Sequence, residues 1–90
     1  MTTRAEVYAA LDTERAYQDA LWTPETTISG GLHTVTEWLV YMDSYLREAF
    51  DQVSRGPDPA ATLAALNTVR KITAMGVACM EQNGAPVRKS

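Results

Sequence analysis

Thr34–Pro59, TVTEWLVYMDSYLREAFDQVSRGPDP, decides how the chain is built. Thr34-x-x-Glu37 is a capping box: the threonine hydroxyl accepts from an N–H that the first helical turn leaves unpaired, and the glutamate reaches back to the cap. From there Val35, Leu39, Met42, Leu46, Ala49 and Val53 recur in steps of three and four, the spacing of one helical face. Trp38, Tyr45 and Phe50 flank this seam and widen the apolar sector beyond what one neighbouring helix covers. Gly56 and Pro57 end the helix, and Asp58-Pro59 opens the next at once, with aspartate as N-cap and proline where no N–H is needed. A link as short as Arg55–Asp58 makes the two helices antiparallel neighbours. The seam through Val35, Leu39, Met42, Leu46 and Val53 is expected to pack against the helix that follows.

That following helix is expected over 59–82. Leu66, Val69, Ile72, Val77 and Met80 are its apolar residues, while Ala61, Ala64, Ala65, Ala74, Gly76 and Ala78 permit close approach. Asn83-Gly84 closes it, and a frayed tail is expected at 85–90. Upstream, a second capping box, Thr3-x-x-Glu6, opens a helix over about 4–22 that Pro24 stops. The polar, glycine-rich segment 23–33 between them, with Ser29, Gly30 and Gly31, reads as a loop long enough to be functional. The expected fold is all-α and single-domain: an antiparallel helical hairpin preceded by an N-terminal helix.

Composition limits the function classes. With 90 residues, of which 46% are hydrophobic and 21% charged, the chain is an ordinary globular domain that buries only about 60–65% of its unfolded surface. Self-association into an oligomeric helical bundle, at least a dimer with a four-helix core covering Trp38, Tyr45 and Phe50, is the expected remedy. The net charge of −3 argues against a nucleic-acid polymer or an anionic membrane as partner. One cysteine, Cys79, excludes an internal disulfide and a multi-cysteine metal site, and its apolar neighbours predict a packed, inert thiol. His33 has neither base nor nucleophile beside it in sequence. Thr2, Thr3, Arg4 and Glu6 break any signal-peptide pattern, and no apolar run approaches the length of a membrane span, so a cytoplasmic location is expected.

Glu14-Arg15-x-x-Gln18-Asp19-x-x-Trp22, then a loop, then Glu37-Trp38-Leu39 with Glu48, then the Ala- and Val-rich stretch from Val69 to Glu81, resembles the MazG-like all-α nucleoside triphosphate pyrophosphohydrolases, in particular small versions carried by phages and prophages. The similarity runs from about Glu14 to Glu81 on short, degenerate motifs. It implies a MazG-like helical fold in which a helix bearing E-E-x-x-E and a later helix bearing E-x-x-D hold Mg²⁺, and the metal holds the triphosphate. Mg²⁺ needs oxygen ligands, and carboxylates three or four apart share one helical face. With Glu48 as the last acid of the first motif, Ser44 and Tyr45 stand where the first two belong. The second motif falls on Asn67 and Arg70, or on Thr68 and Lys71. Neither register supplies a carboxylate.

The resulting expectation is a catalytically degenerate MazG-like protein, phage-encoded and directed against a host process, that binds a ligand or another protein without a cofactor. No catalytic residue is assigned. Arg15, Gln18, Asp19 and Trp22 form one candidate contact set, with Trp22 beside the loop. Glu48, Arg70 and Lys71 form a second, with Arg70 or Lys71 approaching Glu48 so that an ion pair takes the place of the metal. Trp38, Tyr41 and Tyr45 have the helical spacing of core or interface aromatics, although they too can stack on a base. The alternative is an Mg²⁺-dependent nucleoside triphosphate pyrophosphohydrolase whose metal sits on Glu37, Glu48 and Asp51. Expected partners are a second copy of the chain, and either a nucleotide-like small molecule or a host protein.

Overall fold

A computed structural model describes residues 1–27 and 30–89. Its described residues form three helices and no strand: α1 (Arg4–Leu21), α2 (Val35–Val53) and α3 (Pro59–Asn83). Both capping boxes are present, with Thr3 and Thr34 accepting from the backbone N–H of Glu6 and Glu37 and each glutamate returning to its cap. Asp58 caps α3 by accepting from the Ala60 N–H at 3.0 Å, with Pro59 at the first position. Trp22 is the C-cap of α1. Of the loop expected at 23–33, Ile28 and Ser29 lie outside the described residues, as does Ser90 of the tail; residues 84–89 form no regular structure. No described helix is long and apolar enough to cross a membrane.

Helix α3 is central: α2 packs on one flank and α1 on another, and α1 and α2 do not pack along each other. The core is small. Trp38, Met75 and Ala78 are buried at its centre, and Trp22, Met42, Tyr45 and Cys79 pack around them. Ala61, Ala65 and Ala74 are also buried on α3, so the small residues do bring the helices close.

The expected seam of α2 is corrected. The row facing α3 is Trp38, Met42, Tyr45, Ala49 and Gln52, while Val35, Leu39, Leu46 and Val53 are exposed. The two rows share Met42 and Ala49 and lie side by side on one wide apolar sector. Periodicity alone could not choose between them. Trp38 decides the choice, because burying its large ring, which is 0% exposed, removes more apolar area than any aliphatic neighbour. Two of the three aromatics expected in a subunit interface, Trp38 and Tyr45, are therefore packed within the protomer. Phe50 is 64% exposed.

Candidate functional site

An aromatic cleft opens where the end of α1, the following loop and the first half of α2 meet over α3. Its volume is about 570 Å³, and Trp22, Thr27, His33, Glu37, Trp38, Tyr41, Tyr45 and Met75 line it. Each wall has a local cause. Trp22 is placed by the C-cap, whose N–H donates to the Gln18 carbonyl at 2.8 Å. Trp38 and Tyr45 belong to the row of α2 that packs on α3, where Trp38 has no exposed surface and Tyr45 is half-buried. The rings meet at tilted and edge-to-face angles, with centroids 5.8 Å apart for Trp22–Trp38, and 5.1 Å for both His33–Trp38 and His33–Tyr41. Those geometries suit the ring quadrupoles.

Gln82 holds the entrance in place. Its Oε1 accepts from the Trp38 indole N–H and from the His33 backbone N–H, both at 2.9 Å, and its Nε2 donates to the Gly31 carbonyl at 2.9 Å. Asn83 adds a bond from Nδ2 to the His33 carbonyl at 3.1 Å. Gly31 has φ of 81°, and a Cβ there would sit 2.8 Å from the Trp22 carbonyl oxygen. Only glycine allows this approach of loop to helix end.

The polar groups of the cleft are His33 and Glu37. Glu37 Oε1 accepts from the Thr34 N–H at 2.9 Å, and these bonds to the Thr34 backbone and side chain, with His33 nearby, hold the carboxyl below the usual glutamate range. It is ionised at neutral pH. His33 Nδ1 stands 3.9 Å from Glu37 Oε2 and is buried without a hydrogen-bond partner among the described residues. No lysine or arginine is among the described lining residues. The cleft thus offers stacking faces, one carboxylate and one unsatisfied ring nitrogen.

The other sequence-predicted residues have different tasks. Arg15 donates to Gln18 Oε1 at 3.0 Å and to Asp19 and Glu81 carboxylates at 2.9 Å each. Gln18, only 1% exposed, donates to the Lys71 carbonyl at 3.3 Å. Arg15 and Gln18 join α1 to α3, so the set expected around Trp22 separates: Trp22 enters the cleft, Arg15 and Gln18 form a helix–helix contact, and the exposed Asp19 pairs with Arg15 on its own helix. The ion pair expected between Glu48 and Arg70 or Lys71 is also corrected. Arg70 pairs with the buried carboxylate of Glu14 at 2.9 Å, because α1 lies on that flank of α3. Lys71 Nζ sits 4.8 Å from the centroid of the Tyr45 ring, a cation–π contact. Glu48 is exposed and has no ion pair among the described residues. Arg70 and Lys71, with Thr13, Glu14 and Tyr17, line a separate recess of about 370 Å³.

The alternative metal set does not converge. Glu37 and Glu48 are eleven residues apart on one straight helix, a rise of about 16 Å, too far for a shared ion. Among the described residues no three His, Cys, Asp or Glu side chains gather as a metal site requires. Sequence reasoning missed His33, Gln82 and Asn83. The one signal available for His33 was its placement four residues before Glu37 across the Thr34 cap, and nothing local marked Gln82, which acts 44 residues from Trp38. No protein-family model, curated protein or solved structure matches this chain.

Proposed function

We propose that this chain is a non-catalytic helical binding module whose aromatic cleft takes the flat heteroaromatic ring of a small molecule, a nucleobase or nucleoside, without metal. The observation that carries the reading is the convergence of Trp22, Trp38, Tyr41 and Tyr45 with His33 and Glu37 on one cleft of about 570 Å³, a volume suited to a small organic ligand. A planar ring stacks on the aromatic walls. Its N–H edge donates to the free Oε2 of Glu37, and a second edge atom pairs with His33 Nδ1. Negative charge at Glu37 disfavours a phosphate at the same depth, so a phosphorylated ligand would extend its phosphates toward solvent. This differs from a hydrolase, in which metal-held phosphates dominate recognition. The MazG-like resemblance, a phage origin and action against a host process belong to this proposal as its wider setting: the helical frame is used for binding after loss of the acids at positions 44 and 45.

Calorimetry with nucleobases, nucleosides and nucleoside triphosphates, each with Mg²⁺ and with EDTA, tests the reading beside a pyrophosphate-release assay. Expected are comparable affinities for nucleoside and triphosphate, indifference to EDTA, no pyrophosphate release, and a loss of about fivefold or more with Trp22→Ala, since one stacked base contact contributes about 1–3 kcal/mol. Mg²⁺-dependent pyrophosphate release that Glu48→Gln abolishes would establish the hydrolase instead. Absence of binding under every condition would leave a protein as the partner.

A further inference from the structure

The flank of the α2–α3 hairpin opposite α1 is the other unexplained surface. On the α1 side, α2 presents Glu37, Trp38, Tyr41 and Tyr45 to the cleft, and α3 uses Arg70, Lys71 and Glu81 to hold α1. On the opposite side α2 exposes Val35, Leu39, Leu46, Phe50 and Val53, and α3 exposes Leu66, Val69 and Met80. Leu39 alone is 57% exposed. The row on α2 runs the whole helix without a charged residue in it.

We infer that this flank is the dimer interface, with α2 of one copy lying antiparallel against α2 of a second copy and the two hairpins forming a four-helix core. Area supports the assignment. A self-sufficient monomer of 9.9 kDa exposes about 5,200 Å² by the scaling of folded monomers, whereas this chain exposes 6871 Å². The excess, about 1,700 Å², which includes the irregular tail, is larger than the roughly 800 Å² that each partner contributes to a stable interface.

The α2 row is also self-complementary. A two-fold axis near residues 44 and 45 sets Val35 against Val53 and Leu39 against Phe50, since the midpoints of these pairs agree to within one residue. Along its edge lie Asp43 and Arg47, paired within one helix at 3.1 Å. The same axis brings Asp43 of one copy to Arg47 of the other, which supplies a complementary polar rim. A second copy therefore fits in shape period, length and charge. The assignment is independent of the aromatic cleft, which lies on the other side of the hairpin.

Sedimentation equilibrium at micromolar concentration, with far-UV circular dichroism to verify folding, tests it. Wild type is expected to sediment at about twice 9.9 kDa. Phe50→Lys, on the apolar flank opposite Leu39 of the second copy, should stay helical and weaken association about 100-fold or more. Val40→Lys, also at an exposed apolar position (63% exposed) but off this flank, should leave the dimer intact. Asp43→Arg and Arg47→Asp should each associate poorly alone and recover when mixed. A wild type that remains monomeric, an assembly insensitive to Phe50→Lys, or a mixture of the charge variants that fails to recover association would overturn the assignment.

Discussion

Toward α2, α3 presents Ala61, Ala65 and Met75, and the partner row delivers Trp38, Met42 and Ala49; toward α1 it presents Arg70, the Lys71 carbonyl and Glu81, and the partner delivers Glu14, Arg15 and Gln18. One contact excludes water from apolar surface, and the other satisfies polar groups. The only buried residues of α1 are Glu14 and Gln18. A run of charged and amide side chains with helical spacing can therefore be a fastening between helices and look, in sequence, like a ligand-contact set. The apolar contact carries most of the stability, because burial scales with apolar area, whereas hydrogen bonds and partly exposed ion pairs exchange protein partners for water with small net gain.

The largest expected effect follows from that asymmetry. Trp38→Ala should cost about 3–5 kcal/mol in urea unfolding, since the ring has no solvent contact and its indole N–H satisfies Gln82. A loss below about 1 kcal/mol would show that the apolar contact is not the dominant one. Gln18→Ala, on the polar side, should cost about 1–3 kcal/mol, because it opens a void and removes the partner of Arg15 and of the Lys71 carbonyl. If Gln18→Ala matched Trp38→Ala, the comparison would fail.

Smaller still is Glu14→Gln. It removes the charge opposite Arg70, which is part-exposed, and should cost about 0.5–1.5 kcal/mol, decreasing with added salt. A salt-independent loss would mean that packing of the Glu14 stem matters more than its charge.

The smallest effect is a pH dependence at the α2 cap. Glu37 has its folded pKa lowered by the Thr34 bonds, so the unfolded chain binds its proton more tightly than the folded one. The contribution is fully present above the ordinary glutamate value and disappears as pH falls through the lower folded value. Glu37→Gln should flatten the acid limb of the stability profile by lowering stability slightly at neutral pH, and should change nothing once the pH is below the lowered folded value. An equal shift at every pH would mean that the cap contributes through shape alone.

Much of the fold was legible because its punctuation is local. Thr3, Glu6, Thr34, Glu37, Asp58 and Pro59 mark helix starts within a few residues of themselves, and the structure uses each as written. Which of two adjacent stripes on α2 turned inward was not legible, since Leu39 and Trp38 belong to equally periodic rows and the choice depends on a neighbour's shape. The site divided along the same line. Trp22 was identifiable from its position at a helix end beside a glycine-rich loop, but Arg15, Gln18 and Asp19 next to it could not be separated from a ligand set without knowing that Glu81 lies across from Arg15. His33 was passed over because its partners come from the far end of α3 through Gln82 and Asn83.

With two tryptophans in the chain, the indole N–H resonances of Trp22 and Trp38 are two reporters inside the cleft, and a ¹H–¹⁵N titration with a nucleoside in EDTA reads them directly. Binding in the aromatic cleft predicts that both indole signals shift together along one saturating curve, with the Gly31 and His33 amides following and the amide signals of Thr13, Tyr17 and Arg70 unmoved. Saturable shifts confined to residues around Arg70 and Lys71, with both indole signals stationary, would contradict the account.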